Sequence, residues 1–210
     1  MQLVGKLIIK SKDKIIKFLD EESTGRISSI DKDGFPQIIP MNFIFLDNSV
    51  YMHSHIRGEK IENIKCNSKV GFEVDRNLEF LPSYFSDPDD ASLADTLYIS
   101  VVIKGEATLV EDKKEKVLAL NGLMKKYQPE GRYIPMREDM DVLDATAVIK
   151  VTPKEMNGKY KIGQNMNKEE KIELATKILD KNSKTAKDTV KIMGFAMENG
   201  RLVMKEDVEW

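Results

Sequence analysis

The short stretch between residues 51 and 60 carries the side chains of this chain that are best suited to chemistry. His53 and His55 occupy alternate positions of a predicted strand, so both imidazoles point to one face. Ser54 lies between them, and Gly58 and Lys60 stand at the start of a predicted helix. Unpaired N–H groups at a helix start, a serine hydroxyl and a lysine ammonium favour a bound phosphate. We interpret the stretch as a cradle for a phosphorylated aromatic cofactor whose ring the imidazoles face.

Simpler interpretations of the same residues stay open at this point. A Gly-x-Lys sequence at a helix start is common and is by itself weakly specific for phosphate. His53 and His55 are as typical of ordinary polar positions on a strand as they are of a metal site. A metal site on the two histidines is a third alternative. No acidic or thiol side chain nearby has the spacing of a further ligand, so we predict no metal.

The bulk composition limits the kinds of partner. The chain has 210 residues, 41% of them hydrophobic, which suffices for one sizeable core or for a core with an appendage. The net charge is −2, from 33 basic and 35 acidic residues. The chain therefore lacks the excess of positive charge that binds a nucleic-acid backbone. The single cysteine, Cys66, excludes an internal disulfide and is typical of a reducing compartment. The sequence contains no run of ~18 apolar residues, so it predicts no membrane span. We therefore expect a soluble cytoplasmic protein that binds neither membrane nor nucleic acid.

Apolar periodicity predicts an antiparallel barrel with helices on its outside. Asp33-Gly34 makes a hairpin turn, and Asp47-Asn48 joins the last two strands of a three-strand meander. The predicted strands span residues 26–31, 35–46, 51–55, 68–76, 96–110 and 145–151. The predicted helices span residues 12–22, 60–66, 113–126, 168–181 and 184–197. This order predicts a mainly β (α+β), six-stranded barrel domain with an N-terminal helix over residues 1–160. Residues 161–210 form a predicted helical extension, packed on the barrel or on a dimer partner.

Two prolines make the second predicted strand unusual. Pro36 and Pro40 lack a backbone N–H, so this strand is predicted to lie at a sheet edge or to contain a bulge. Backbone groups left unpaired around Pro40 are then free to bond a ligand.

The order and spacing of four segments resemble the FMN-binding split β-barrel superfamily, which is typified by pyridoxamine 5′-phosphate oxidase. The segments are Gly25-Arg26-Ile27-Ser28-Ser29, Asp33-Gly34-x-Pro36-x-x-x-Pro40, Tyr51-Met52-His53-Ser54-x-x-x-Gly58-x-Lys60 and Tyr98-x-Ser100-Val101-x-x-x-Gly105-x-Ala107. Within the superfamily the chain most resembles the 5-nitroimidazole-resistance (Nim) reductase-like branch. That branch has a Tyr-x-His-Ser/Thr strand end and a segment similar to Phe80-Leu81-Pro82. The resemblance spans about residues 25–165 and implies a split β-barrel.

The resemblance implies an FMN cofactor and a homodimer with two flavin sites at the interface. The implied cofactor contacts are Ile39, Pro40, Met41, Asn42, His53, Ser54, His55, Lys60, Ser100, Gln164 and Asn165. The backbone of residues 39–42 would run beside the isoalloxazine ring, and Ser54 and Lys60 would hold the phosphate. His53, the implied catalytic residue, would lie near the reactive edge of the ring, where it can tune the potential or pass a proton. The two residues of the Gln-Asn pair would approach from the second subunit.

The chain also departs from parts of the family pattern. Pyridoxamine phosphate oxidases end in an Arg-x-His-x-Arg segment that holds the substrate, whereas here the last residues are Lys205-Glu206-Asp207-Val208-Glu209-Trp210. We therefore do not expect oxidation of a vitamin B6 phosphate. Glu59 stands where some relatives have a second basic residue, which leaves the phosphate to Lys60, with Arg57 as an additional candidate.

These features predict a homodimeric FMN-dependent oxidoreductase of the Nim reductase-like type. It would take electrons from a donor such as NAD(P)H and pass them to a small acceptor, for which a nitroaromatic is one candidate. The alternative from another class is a flavin- or haem-binding module without turnover, acting as a sensor or regulator. In that case the lysine-rich C-terminal helices would form an interaction surface rather than a merely solvated face.

Overall fold

The computed structural model describes residues 5–205, which form ten strands and five helices. The strands are β1 (Ile8–Ile9), β2 (Gly25–Ile30), β3 (Pro36–Met41), β4 (Ile44–Leu46), β5 (Ser49–His55), β6 (Lys69–Leu81), β7 (Asp95–Leu109), β8 (Thr146–Lys161), β9 (Phe195–Glu198) and β10 (Arg201–Met204). The helices are α1 (Lys12–Glu21), α2 (Glu59–Cys66), α3 (Lys113–Tyr127), α4 (Lys168–Lys181) and α5 (Ala186–Ile192). Across the described range, every helix is too short or too polar to cross a membrane.

The chain divides into two compact units. Residues 12–74 and 101–157 form the first, called the barrel unit below. Residues 75–100 and the two ends of the chain, up to Ser11 and from Gly158 onward, form the second unit. The strands β6, β7 and β8 each continue from one unit into the other. The domain boundary at residue 160 stays a prediction. The departure from the family pattern at residues 206–210 lies outside the described residues.

The main sheet has β3 and β4 at the two ends of its strand order. Its strand order is β3-β2-β6-β7-β8-β5-β4, and β1 pairs with β8 off this path. Only Asn42 and Phe43 separate the end of β3 from the start of β4, so the two end strands approach to within about 11 Å. β2 pairs antiparallel with β3 and β6, and β5 pairs antiparallel with β4 and β8. The sheet is therefore curled and mainly antiparallel, as predicted.

The predicted single strand over residues 35–46 is wrong, and so is the three-strand meander. β3 pairs with β2 and β4 pairs with β5, at opposite ends of the strand order. The chain leaves the ladder at Phe43, whose fully buried ring packs edge-on against Phe72 with 5.1 Å between the centroids. The pairing of β3 with β2 continues past Pro40 to Met41, so burial of the Phe43 ring, rather than the proline, outweighs continuation of the strand. The sheet has eight strands rather than six because this strand divides and β1 is added. The predicted sheet edge at Pro36 and Pro40 is confirmed, since β3 ends the strand order.

Helix α3 covers one face of β5 and β8. Asp112 caps this helix as predicted, because its carboxylate accepts a hydrogen bond from the Glu115 N–H at 2.8 Å. Leu123 of the helix joins Tyr51 of β5 and Val148 of β8 in one buried cluster. The helix therefore reaches the strand that carries both histidines.

The C-terminal segment is only partly helical, which corrects the predicted extension. α4 has the predicted bounds and begins with a capping box between Asn167 and Glu170. The predicted helix over residues 184–197 ends at Ile192 instead. Gly194 adopts a positive φ of 91°, which stops the helix. β9 and β10 then form an antiparallel hairpin.

One buried carboxylate in the second unit anchors the turn after α4. The Glu79 side chain is only 2% exposed. It accepts hydrogen bonds from Lys181 Nζ at 2.7 Å, from Thr185 Oγ1 at 2.8 Å and from Ser183 Oγ. Burial acts to raise the pKa of Glu79, but the hydrogen bonds from these three donors outweigh it and hold the pKa below its ordinary value.

Candidate functional site

The start of α2 offers the backbone part of an anion site. Gly58 stands at the N-cap with a φ of 136°, a conformation that favours glycine, and no side chain within residues 5–205 caps the helix there. The Gly58 carbonyl accepts the N–H groups of Ile61 and Glu62 at 3.0 and 3.2 Å. The N–H groups of Glu59 and Lys60, which precede these two, have no partner inside the helix, and they favour a phosphate at this position.

Lys60 supplies a cation at the same helix start, and no anion among the described residues pairs with it. Its Nζ lies 3.3 Å from the Sδ of Met41 on β3, and a thioether is only a weak acceptor. The side chain is half-buried, and this burial lowers the pKa of the Lys60 ammonium. A partly desolvated ammonium that faces a thioether is typical of a site that an external anion completes. The residues present therefore fit a phosphate group.

The end of β5 places its polar side chains on two faces. His53 and His55 are both exposed, pair with Val148 and Thr146 of β8, and share the face that α3 covers further along the strand. Ser54 is half-buried and points to the opposite face. In the described part of the chain, no group of three or more His, Cys, Asp or Glu side chains is arranged to hold a metal ion.

The turn after β5 restrains one of the two histidines. The backbone N–H of Arg57 donates to His55 Nδ1 at 3.1 Å, so the neutral imidazole carries its proton on Nε2. His55 therefore has a local structural function at the turn. His53 is exposed and makes no such contact with any residue between 5 and 205, so within this range both of its ring nitrogens are available to a ligand.

The segment over residues 39–42 approaches the start of α2 through Met41. Ile39 and Met41 are half-buried and pair with Ile27 and Gly25 of β2. Pro40 and Asn42 are exposed. The structure thus brings the Met41 side chain to Lys60, and no strand of the described residues pairs with the outer edge of β3.

The three remaining predicted contacts lie in the second unit. Ser100 is half-buried on β7, and Asn165 is exposed. The amide of Gln164 is already engaged by its own turn: its Oε1 accepts the Ile162 N–H at 3.0 Å, and its Nε2 donates to the carbonyls of Lys6 and Tyr160 at 3.0 and 3.2 Å. Gln164 therefore positions this turn, which the sequence pattern did not predict.

Two residues at the end of α3, which the sequence did not single out, hold the crossover between β3 and β4. Tyr127 Oη accepts the Phe43 N–H at 2.8 Å and donates to the Ser23 carbonyl at 2.7 Å. Lys126 Nζ donates to the Leu19 carbonyl at 2.9 Å and lies 3.9 Å from the centroid of the Phe43 ring. The two side chains thereby fix the backbone directly after residues 39–42, the segment predicted to face the cofactor. Lys126 ends the predicted helix and Tyr127 follows it, and neither position indicated this function.

Lys126 gives the barrel unit a pH-dependent stability. Burial lowers the pKa of Lys126 to about 8 from an ordinary value of 10.5, although Asp20 and Glu22 oppose the shift. The unfolded state binds the proton more tightly between these values, so the free energy of unfolding rises with pH in that window. We expect a rise of about 1–2 kcal/mol between pH ~8 and pH ~9.5, a figure reduced because part of the side chain remains in solvent.

Denaturant unfolding at several pH values checks this expectation. The rise should disappear in the Lys126→Met variant and persist in Lys125→Met, which changes an exposed lysine of the same turn. If the unfolding free energy depends on pH equally in the two variants, Lys126 does not cause the rise.

A second cluster that the sequence did not predict lies two positions before His53 on the same face of β5. Tyr51 Oη donates to Glu115 Oε1 at 2.8 Å, and Lys150 Nζ donates to the same oxygen at 2.7 Å. The hydrogen bonds from Lys150 and Tyr51 lower the pKa of Glu115, and Glu115 raises the pKa of Lys150. The cluster joins α3 to the strand pair that presents His53.

Comparison with known proteins identifies the family of the chain and solved structures that share its fold. The sequence model of the family described as pyridoxamine 5′-phosphate oxidase matches residues 11–160. A solved structure from Bacteroides thetaiotaomicron, attributed to 5-nitroimidazole antibiotic resistance, is 24% identical, with 73% of this chain and 86% of that chain covered and a TM-score of 0.62. The flavocytochrome Anf3 from Azotobacter vinelandii is 18% identical, with 74% and 69% covered and a TM-score of 0.63. The FAD and heme binding protein from Mycobacterium smegmatis is 15% identical, with 72% and 71% covered and a TM-score of 0.61. No curated protein matches the chain.

These comparisons bear on the fold and the family. The structural similarities confirm the predicted split-barrel fold. The family match confirms the resemblance to the pyridoxamine 5′-phosphate oxidase superfamily, and a protein attributed to nitroimidazole resistance is among the structures that share the fold.

Proposed function

Because the chain belongs to the pyridoxamine 5′-phosphate oxidase family, we propose that it is an FMN-dependent oxidoreductase. The observation that carries this proposal is the half-buried Lys60 ammonium, whose one acceptor among the described residues is the Met41 thioether, beside a helix start that no described side chain caps. Such a site suits a phosphate dianion, since the ammonium and the helix N–H groups are both donors. The flavin-binding and FAD-binding proteins that share the fold support the proposal.

Each part of the site has a role in this proposal. Lys60, Ser54 and the first turn of α2 bind the phosphate of FMN. The backbone of residues 39–42 orients the ring, and His53 holds or releases a proton at its edge. When bound, the flavin supplies the electron transfer between a donor such as NAD(P)H and a small acceptor. A nitroaromatic acceptor is proposed because of the Tyr51-Met52-His53-Ser54 strand end, which resembles the Nim branch.

A homodimer with the flavin at its interface is part of the proposal. Support comes from the β2–β3 hairpin, where the apolar side chains of Phe35 and Ile38 are 69% and 62% exposed at the free edge of the sheet. A second copy that covers this face would shield the flavin ring from water. Ser100 and Asn165 would complete the site, with Asn165 from the second subunit, and Gln164 would position the turn that carries Asn165.

Titration of the purified chain with FMN tests the proposed function. We expect quenching of flavin fluorescence with saturable binding, a dimer in solution, and oxidation of NAD(P)H that depends on a nitroaromatic acceptor. FAD and riboflavin serve as comparisons, because riboflavin lacks the phosphate that Lys60 is proposed to hold. Equal affinity for FMN and riboflavin, or the absence of quenching by FMN, would refute the site.

A haem- or flavin-binding module without turnover is the second candidate. The observation that favours it is the exposed His53 imidazole, whose nitrogens are available to an axial position on iron. Haem titration followed by absorption spectroscopy distinguishes the two candidates. A Soret shift lost in His53→Ala, together with no NAD(P)H oxidation, would favour the module over the enzyme.

Replacement of His53 separates its proposed redox function from any effect on folding. We expect the His53→Ala variant to fold normally, because the side chain is exposed, while the flavin midpoint potential becomes more negative. If the reduced flavin loses about 1.4 kcal/mol of stabilisation, the midpoint potential of the two-electron couple falls by roughly 30 mV. His55→Ala is the matched control, since His55 is exposed on the same face but bonds its own turn. An unchanged potential and turnover in His53→Ala would remove His53 from the mechanism.

A further inference from the structure

Met41 occupies an unusual position for a methionine. Its Sδ lies 3.3 Å from Lys60 Nζ and is the one hydrogen-bond acceptor given to this ammonium by the described residues. The Met41 side chain is half-buried, near the free edge of β3. By contrast, Met52 and Met193 are buried. In the chain without its proposed partner and cofactor, Met41 therefore combines partial exposure to solvent with direct contact to the cation of the proposed phosphate site.

We propose that Met41 is an oxidative modification site: hydrogen peroxide converts its thioether to a sulfoxide, whose oxygen then binds the Lys60 ammonium and weakens binding of the phosphorylated cofactor. This inference rests on the proposed function for its consequence, although the contact between the two side chains does not depend on it.

The chemical step is a two-electron oxidation of the sulfur. The lone pair of Met41 Sδ attacks one oxygen of hydrogen peroxide, a sulfur–oxygen bond forms and the oxygen–oxygen bond breaks. The proton on the transferred oxygen passes to the other oxygen, which leaves as water. The sulfur is oxidised and the peroxide is reduced, and methionine sulfoxide reductases reverse the change.

The modification acts on the site because a sulfoxide oxygen is a far better hydrogen-bond acceptor than a thioether. Before oxidation the Lys60 ammonium faces a weak acceptor and is available to an incoming phosphate. Afterwards the phosphate must displace an existing charge-assisted hydrogen bond. Hydrogen bonds to charged groups contribute enough to predict roughly a tenfold or greater loss of FMN affinity.

Peroxide treatment of the wild type and of Met41→Leu tests the consequence. The FMN dissociation constant of each protein is compared before and after treatment, and peptide mass spectrometry measures sulfoxide at each methionine. We expect treatment to weaken binding to the wild type roughly tenfold and to leave Met41→Leu at its own starting value. The exposed Met166 and Met197 are oxidised in both proteins, so they serve as internal controls. An equal loss in both proteins, or no loss in wild type with Met41 oxidised, would overturn the inference.

A second measurement needs no flavin. Met41→Gln places an amide oxygen where the sulfoxide oxygen would lie, whereas Met41→Leu offers no acceptor. Acetylation of Lys60 near pH ~8, quantified by mass spectrometry, should be slower in Met41→Gln than in Met41→Leu, because a bonded ammonium releases its proton less readily. Equal rates would refute the contact on which the inference depends. If the wild type instead fails to bind FMN while the Lys60 rates differ, the proposed function fails and the Met41–Lys60 coupling stands.

Discussion

The Lys181→Met variant is expected to lose about 3–5 kcal/mol of unfolding free energy, because it leaves the buried Glu79 carboxylate without its cation. The Glu79 side chain is 2% exposed, whereas the Lys181 side chain is 25% exposed. Without Lys181, the Glu79 carboxylate is a buried charge that has lost its cation. The hydrogen bonds from Ser183 and Thr185 provide only part of the stabilisation that Lys181 gave. Loss of the carboxylate frees a lysine that can reach solvent. We therefore expect Glu79→Gln to cost less than Lys181→Met.

Chemical denaturation as a function of pH distinguishes this mechanism from a simple loss of packing. The pKa of Glu79 is held below its ordinary value of 4.5, so the stabilisation from its charged form is fully present above that pH and is lost at lower pH. In Lys181→Met the stranded carboxylate takes up a proton more readily. The deficit relative to wild type should therefore shrink as the pH falls toward about 4.

The control for Lys181 is an exposed lysine of the turn after α4. Lys184→Met should change the unfolding free energy by no more than about 0.5 kcal/mol. A similar loss in both variants would contradict the stranded-charge argument, and so would a deficit in Lys181→Met that does not vary with pH.

The second large expected effect is on cofactor binding by Lys60→Met. Removal of a charge-assisted contact to phosphate should weaken FMN binding by about 1.5–3 kcal/mol, or roughly 10- to 150-fold. The same change should leave the cofactor-free protein as stable as the wild type or slightly more so. The reason is that the half-buried ammonium faces only the Met41 thioether, and burial already lowers the pKa of Lys60.

Flavin titration measures the expected loss of FMN affinity, and thermal unfolding without cofactor measures the stability of the protein itself. Lys65→Met is the matched control, because Lys65 is an exposed lysine of the same helix and pairs with Glu62 at 3.0 Å. Its loss should leave FMN affinity unchanged within about a factor of two. Wild-type affinity in Lys60→Met would refute the assigned phosphate site. A large loss of stability without cofactor would instead show that Lys60 is a structural residue.

Much of the local structure follows from the sequence because its signals are short-range. Asp112 marks the start of α3 through a hydrogen bond that spans three residues, and α4 has the predicted bounds. The turn at Asp47-Asn48 has the positive φ angles that such residues tolerate, 48° and 58°. The association of a serine, a glycine and a lysine with a helix start is likewise a local feature, so the candidate phosphate site was predicted from Ser54, Gly58 and Lys60 together.

Partners distant in the chain were decided by the tertiary structure. Residues 35–46 appear as one strand in the sequence, but β3 and β4 take opposite ends of the sheet order because Phe43 is buried between them and Tyr127, 84 positions away, accepts its N–H. Nothing close to Glu79 in the sequence indicates a buried carboxylate, but in the structure Lys181 and Thr185 donate hydrogen bonds to it. The contact of Met41 with Lys60 depends in the same way on how α2 meets β3.

The sequence by itself determined which residue types stand at strand ends and helix starts, because propensities and caps act over a few neighbouring residues. Only the tertiary structure decided which side chains are desolvated and what they face. That difference matters for function, since burial lowers the pKa of Lys60 and Lys126, and hydrogen bonds to the buried Glu79 carboxylate lower its pKa. Both burial and these bonds depend on chain segments that no local pattern links.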